Sequence, residues 1–254
     1  MEKITCVLAV VERPSGGGIV LDKAESVARC FGARVEVLDS GPHGATPIHE
    51  VILRRVLETH ADLVVKAPAG AHPLHRFALT GNDWELAQEC PVPVLLARQR
   101  PWANPARFAA AVDVSDRDTA DVTRAILHTA GFLAMGLRGN LDILYSEREQ
   151  HDESVRMERA VKLAQLVREY HVGSERIQVF TGEPESVLPP LAAARKYDVL
   201  VLGAQTRQEG FHSIFGGTTG RMIEATEGDV VLVKAPASGS SSREQRSDEL
   251  EQFV

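Results

Sequence analysis

Short apolar runs alternate along the chain with longer stretches in which an apolar residue recurs every three or four positions. The runs are rich in Val, Leu and Ala, which is typical of parallel strands buried on both faces. The longer stretches have the period of amphipathic helices. We predict strands over residues 4–11, 35–38, 63–66, 92–97, 107–114, 141–145, 177–180, 199–203 and 230–233. We predict helices over residues 19–31, 49–60, 82–90, 119–135, 154–170, 186–195 and 217–226. Strands that alternate with helices indicate an α/β protein with a parallel sheet and right-handed crossovers.

The pattern occurs twice, which indicates two tandem domains. Residues 35–97 follow the same order of elements as residues 177–234, with DLVV at residues 62–65 matching DVLV at residues 198–201. The first half lacks a counterpart of residues 141–170, so we expect four strands in it and five in the second half. We place the first domain at residues 1–99, a linker at 100–106 and the second domain at 107–236. The Ser-rich tail, residues 237–254, buries little apolar surface, and we expect it to be disordered.

Composition narrows the classes of function. The chain of 254 residues has a net charge of −7, which argues against nonspecific nucleic-acid binding because such binding needs a basic face. Cys6, Cys30 and Cys90 form no zinc-ligand spacing, and their odd number favours a reducing compartment. No apolar run approaches the roughly 20 residues of a membrane span, and residues 1–17 do not resemble a signal peptide. We therefore expect a soluble cytoplasmic protein with no membrane or nucleic-acid partner.

A candidate phosphate site follows the predicted strand that ends at Gly203. Ligands of open α/β sheets bind beyond the carboxyl ends of the strands, and the start of a helix attracts anions. Gly216 and Gly217, just before the next helix, would let the backbone approach a phosphate, and Thr218 can donate a hydroxyl. The alternative is that the two glycines form only a flexible connection.

Asp113 is the candidate partner of this loop. It ends the first strand of the second half, where a carboxylate can accept hydrogen bonds from a ribose or a base. The alternative is a cap or turn, for which Asp116 is equally placed.

The loop resembles that of the universal stress protein family, whose motif runs Gly-x2-Gly-x9-Gly-Ser/Thr between the fourth and fifth strands. Gly203 and Gly216 fall at the first and third glycine positions. Thr206 replaces the second glycine, and Gly217 takes the Ser/Thr position, with Thr218 one place later. Because Thr206 adds a β-carbon where the family has none, we expect a lower affinity for nucleotide or a different ligand.

The first half resembles the tandem-domain universal stress protein E group. The matching segments are DLVVK at residues 62–66, NDWEL at 82–86, CP at 90–91 and PW at 101–102. Lys66 stands at the first glycine position, and Val11 and Glu12 replace the family's Val-Asp. We expect that this half does not bind ATP in the family's manner.

The resemblance implies two tandem flavodoxin-like domains of the adenine nucleotide alpha hydrolase-like type, of which the first is shortened. It implies that the strands over residues 92–97 and 230–233 pair antiparallel and join the two sheets. It further implies a stress-response factor that binds ATP, with Mg²⁺, in the second domain, where Asp113 contacts the adenosine. Hydrolysis is expected to be weak or absent, and unidentified protein partners and a homodimer are implied.

Two other functions stay open. In the first, the chain is an interaction module whose clefts are vestigial in both halves. In the second, it binds a different small molecule, either apolar or polar, in the first domain. Copurification of ATP distinguishes the first of these from the nucleotide-binding function, and an extractable lipid would favour the second.

Overall fold

The computed structural model describes residues 3–11, 17–41, 46–68, 79–114, 120–147, 152–168, 170, 172–204 and 218–235. The strands are β1 (Cys6–Val11), β2 (Arg34–Asp39), β3 (Leu63–Lys66), β4 (Val94–Leu96), β5 (Arg107–Val112), β6 (Asn140–Glu147), β7 (Ile177–Thr181), β8 (Val199–Gly203) and β9 (Asp229–Val233). The helices are α1 (Gly17–Phe31), α2 (Ile48–Thr59), α3 (Gly81–Glu89), α4 (Ala120–Gly136), α5 (Glu153–Arg168), α6 (Pro184–Arg195) and α7 (Thr218–Ala225). Each predicted strand and helix is present close to its predicted bounds, and the α/β class is confirmed. The predicted tail lies outside the described residues.

One sheet of nine strands runs through both halves of the described chain in the order β2-β1-β3-β4-β9-β8-β5-β6-β7. All neighbouring strands are parallel except β4 and β9, which pair antiparallel with Val94 opposite Leu232 and Leu96 opposite Val230. The predicted antiparallel junction of the two halves is therefore confirmed. Pairing these two strands also covers two apolar edges that would otherwise be exposed to association.

Apolar side chains of alternate strand positions enter two layers, one on each face of the sheet. On β1, Val7 and Ala9 belong to the layer covered by α1, α4 and α5, whereas Leu8 and Val10 belong to the layer covered by α2, α3, α6 and α7. Burial on both faces explains why the strands appear in the sequence as continuous apolar runs rather than as alternating ones.

The aspartate repeated in the DLVV and DVLV segments holds the start of the first strand in each half. Asp62 accepts hydrogen bonds from the amides of Thr5 and Cys6, at 2.7 and 3.2 Å. Asp198 accepts a hydrogen bond from the amide of Arg107 at 2.8 Å. In both halves, the repeated aspartate therefore ties the strand that follows it to the start of the first strand: β3 to β1, and β8 to β5.

A buried polar cluster joins the two halves at the edge of the sheet where β9 begins. We call Lys23, Arg98, Trp102 and Asp229 the Asp229 cluster. The carboxylate of Asp229 accepts hydrogen bonds from Lys23 Nζ at 2.5 and 2.6 Å, from the amide of Arg98 at 2.8 Å and from Trp102 Nε1 at 2.7 Å. Burial raises the pKa of Asp229 and lowers the pKa of Lys23, and the contact between the two groups opposes both shifts. The cluster connects α1 of the first half, and the linker, to β9 of the second half.

Candidate functional site

The carboxyl ends of β5 and β8 lie side by side at the point where the chain order of the second half reverses. β5 pairs with β6 on one side and with β8 on the other, and β8 pairs with β9. The crossovers leave the two central strands in opposite directions, so a crevice opens above their carboxyl ends. Asp113 directly follows β5, and Gly203 ends β8.

The start of α7 lies at the same edge. The hydroxyl of Thr219 donates a hydrogen bond to the carbonyl of Gly203 at 3.1 Å, which ties the first turn of the helix to the end of β8. Thr218 is the first residue of this helix and is half-buried. The structure therefore brings Asp113, Gly203 and Thr218 to one edge of the sheet. The predicted site residues Thr206, Gly216 and Gly217 lie outside the described residues.

The backbone that follows β5 is held from the helices that cover it. The carbonyl of Asp113 accepts a hydrogen bond from the hydroxyl of Thr123 on α4 at 2.7 Å. The carbonyl of Val114 accepts one from Lys162 Nζ on α5 at 3.1 Å. These two bonds fix the position of the Asp113 backbone without using its carboxylate.

Gly203 has a packing role that the sequence motif does not reveal. A β-carbon at this position would lie 2.8 Å from Cγ2 of Val122 and 3.5 Å from Cδ1 of Ile126, both on α4. The first of these distances is shorter than real carbon atoms allow. The close approach of α4 to β8 thus accounts for glycine here, whatever the adjacent crevice binds.

Sequence reasoning missed a polar group beside the crevice, at the end of β6. Tyr145 is paired in register with Val112 of β5 and is 3% exposed, and its hydroxyl has no hydrogen-bond partner among the described residues. Glu147, also buried, forms ion pairs with Arg159 at 3.6 Å and with Arg156 at 3.8 Å. Burial raises the pKa of Tyr145, which the guanidinium of Arg159 partly offsets. The available signal was Tyr145 with Glu147 two positions later, at the end of a mostly aliphatic run.

An internal ion pair occupies the corresponding edge of the first half. Lys66 ends β3, and its Nζ lies 2.6 Å from Oδ1 of Asp83, the third residue of α3. The same carboxylate accepts a hydrogen bond from the amide of Thr80 at 2.9 Å in a capping box. A carboxylate of the chain itself therefore satisfies the helix start, where an anionic ligand would otherwise be attracted.

Other classes of site find little support in the described part of the chain. Among its residues, no group of three or more His, Cys, Asp or Glu side chains is arranged to hold a metal ion. None of its helices combines the length and the apolar character that crossing a membrane requires.

The fold and this crevice define the class as a pair of flavodoxin-like α/β units that share one sheet, with an open switch point in the second unit. The sequence profile of the universal stress protein family matches residues 106–234. The chain belongs to the universal stress protein family.

Relatives extend this likeness to both halves. The universal stress protein E homologue of Haemophilus influenzae is 24% identical over 203 residues, which cover 73% of this chain and 66% of that protein. Universal stress protein E of Escherichia coli strain K12 is 21% identical over 203 residues, which cover 73% of this chain and 64% of that protein. The match thus spans slightly less than two thirds of these curated relatives.

Two solved structures share the whole architecture. A universal stress protein from Pseudomonas aeruginosa UCBPP-PA14 superposes with a TM-score of 0.80 at 20% identity, with 98% of this chain and 97% of that one covered. A protein of unknown function from Pseudomonas aeruginosa PAO1 superposes with a TM-score of 0.79 at 21% identity, with 98% and 96% covered. At these identities the two structures establish the fold.

Proposed function

We propose that this protein is a stress-response factor that binds an adenine nucleotide, ATP with Mg²⁺, in the crevice of its second half. The main support for the proposal is that Asp113, the end of β8 and the start of α7 lie close together at the switch point. Such a crevice offers a carboxylate for the sugar or base and a helix N-terminus for phosphate, which are the two ends of a nucleotide.

Each residue has a distinct part in this proposal. The carboxylate of Asp113 accepts hydrogen bonds from the adenosine, and the amides and hydroxyl at Thr218 receive a phosphate. Gly216 and Gly217 allow the backbone to approach that phosphate, while Thr206 lowers the affinity relative to the family's glycine. Bound nucleotide would supply the negative charge that the helix start attracts.

Tyr145 adds a polar group that the family motif did not point to. Among the described residues its buried hydroxyl has no hydrogen bond of standard geometry, although the guanidinium of Arg159 lies near it, and a buried polar group normally has a partner. A ligand that reaches below Asp113 would satisfy this hydroxyl. Glu147, the nearby carboxylate on β6, is already paired with two arginines, so we assign it no role as a general base and expect little or no hydrolysis.

Isothermal titration of the purified protein with ATP and Mg²⁺ tests the proposal, with GTP as the comparison for base selectivity. We expect saturable binding of ATP that Asp113→Ala and Gly216→Val weaken strongly. Thr80→Ala is the matched control, because Thr80 caps the equivalent helix of the first half. Absence of binding by folded protein that carries no nucleotide from purification would refute the proposal.

An interaction module with vestigial clefts is the second candidate, and two observations favour it. The packing of Gly203 against α4 explains this glycine without a ligand, and the pair of Lys66 and Asp83 fills the first-half edge. This candidate predicts that neither ATP nor GTP binds, and that protein partners are recovered equally from wild type and from Asp113→Ala.

Binding of an apolar ligand by the first half receives less support. An apolar cavity of about 10 Å³ lies between the halves, lined by side chains that include Val27, Leu63, Trp102 and Phe108. A cavity of that size holds about one water molecule and no organic ligand. Extraction of the purified protein with organic solvent, followed by mass spectrometry, tests this candidate directly.

We further propose a cytoplasmic location and a homodimer. None of Cys6, Cys30 and Cys90 is in a disulfide, in keeping with a reducing compartment. Sedimentation velocity tests the dimer, and fractionation of the source cells tests the location.

A further inference from the structure

Helix α7, whose first turn borders the crevice, lies between the two halves of the molecule. On the side of the second half, Arg221 forms an ion pair with Glu185 of α6. On the side of the first half, Gly220 faces the indole of Trp84, which is 8% exposed on α3. A β-carbon at Gly220 would lie 2.9 Å from Cζ2 and 3.4 Å from Cη2 of Trp84. The indole therefore forms a close-fitting support beneath the helix, two residues after Thr218.

A second support from the first half holds the other end of the same helix. Arg98, which follows β4, donates a hydrogen bond from Nη2 to the carbonyl of Ile223 at 2.6 Å. A guanidinium at this position satisfies a carbonyl of the last turn and complements the negative end of the helix dipole. Arg98 is itself fixed, because its amide donates to Asp229.

These contacts tie α7 to the first half near Gly220 and Ile223. On the side of the second half, α7 packs against α6, and the hydroxyl of Thr219 donates a hydrogen bond to Gly203 of β8. We propose that Trp84 is a positioning residue for the ligand site of the second half. Through Gly220 it sets where the first turn of α7 stands above the crevice, and ligand binding there is coupled to its indole. This inference rests on the proposed binding of an adenine nucleotide. The inference also means that the first half contributes to ligand binding in the second half. The first half's own position at the end of β3 is occupied by the ion pair of Lys66 and Asp83.

Fluorine NMR of protein labelled with 5-fluorotryptophan tests the coupling. The chain has 2 tryptophans, and Trp84→Phe identifies which resonance belongs to Trp84. Trp102 serves as an internal control, because it binds Asp229 at the opposite edge of the sheet from the crevice. We expect titration with ATP and Mg²⁺ to shift the Trp84 resonance in a saturable manner and to leave the Trp102 resonance in place.

Calorimetric titration of variants measures the effect on affinity. We expect Trp84→Ala to weaken ATP binding roughly 2- to 30-fold, the usual range for a residue that acts through another. Trp84→Phe should recover part of the loss, since a ring still supports Gly220. Leu53→Ala is the matched control, because Leu53 on α2 is 4% exposed in the same apolar layer. It should lower stability and keep the ATP affinity within about twofold.

The outcomes separate this inference from the proposed function. If ATP binds wild type and Trp84→Ala alike, and the Trp84 resonance does not move, the positioning role is overturned and nucleotide binding stands. If wild type binds no ATP, the proposed function fails, and amide hydrogen exchange over residues 220–223 decides the positioning role. Faster exchange in Trp84→Ala than in Leu53→Ala supports it, and equal exchange overturns it.

Discussion

Replacement of Lys23 by Met tests the buried ion pair that joins α1 of the first half to β9 of the second. Nζ of Lys23 lies 2.5 and 2.6 Å from the two carboxylate oxygens of Asp229, and the side chains are 4% and 1% exposed. After the replacement, the carboxylate keeps the amide of Arg98 and the indole of Trp102 as donors, but it loses its counter-charge. Removal of one partner from a buried pair costs about 3–5 kcal/mol, a large part of the ~5–15 kcal/mol that stabilises a typical native protein.

Urea unfolding followed by circular dichroism measures this loss. We expect Lys23→Met to lower the free energy of unfolding by about 3–5 kcal/mol. The double variant Lys23→Met/Asp229→Asn should be more stable than Lys23→Met, because a neutral amide then replaces the buried carboxylate that has lost Lys23. The control is Arg124→Met, which breaks an exposed pair with Asp121 at 60% and 65% exposure and should change stability by less than ~1 kcal/mol. A stabilising role for the buried pair is refuted if Lys23→Met costs no more than this control, or if the double variant is no more stable than the single one.

Three further predictions follow from particular side chains. Tyr145→Phe removes a buried hydroxyl that has no standard hydrogen bond among the described residues. The replacement should therefore raise the stability of ligand-free protein by about 1 kcal/mol and weaken ATP binding. An unchanged affinity in titration would remove Tyr145 from the site. Gly203→Ala should cost about 1–3 kcal/mol by overpacking against Val122, and Val122→Ala in the same chain should restore part of the loss in urea unfolding. Burial raises the pKa of Tyr145 and of Tyr197, so the stability they contribute is complete below about pH 10 and is lost as pH rises through their folded-state pKa values. In an alkaline titration, the phenolate absorbance of these two side chains should therefore appear together with the loss of circular dichroism. Phenolate formation by more than one of the 3 tyrosines in fully folded protein near pH 10 would contradict the assignment.

Much of the fold could be predicted from residues close together in the chain. The continuous apolar run of β1 predicted a parallel strand, because a strand that is buried on both faces is apolar at successive positions. The repeated DLVV and DVLV segments predicted the duplication. The motif around Gly203 directed attention to the correct edge of the sheet. It did not reveal that Gly203 is needed by α4, since the contact to Val122 depends on a helix distant in the sequence.

The candidate site was predicted in part for the same reason. Asp113 and Thr218 stand at recognisable ends of elements, so position along the chain was enough to select them. Tyr145 was not predicted because an aromatic residue in an apolar strand usually belongs to the core. Only the tertiary structure shows that its buried hydroxyl has no standard hydrogen bond among the described residues. Lys66 was recognised as a departure from the family motif, but its pairing with Asp83 depends on how α3 begins above β3.

The sequence alone was enough to predict the helices and strands, their order, the duplication and the family. Each of these depends on the periodicity and spacing of residues that are close together in the chain. Only the tertiary structure showed which side chains bind the two halves to each other. Lys23 and Asp229 are separated by 206 positions, and nothing local marks them as partners. Trp84 and Gly220 likewise meet only because β4 and β9 pair and bring α3 beside α7. Contacts of this kind depend on the three-dimensional path of the chain. A hydrophobic pattern assigns each residue to its own helix or strand, but it does not show which distant residues will meet.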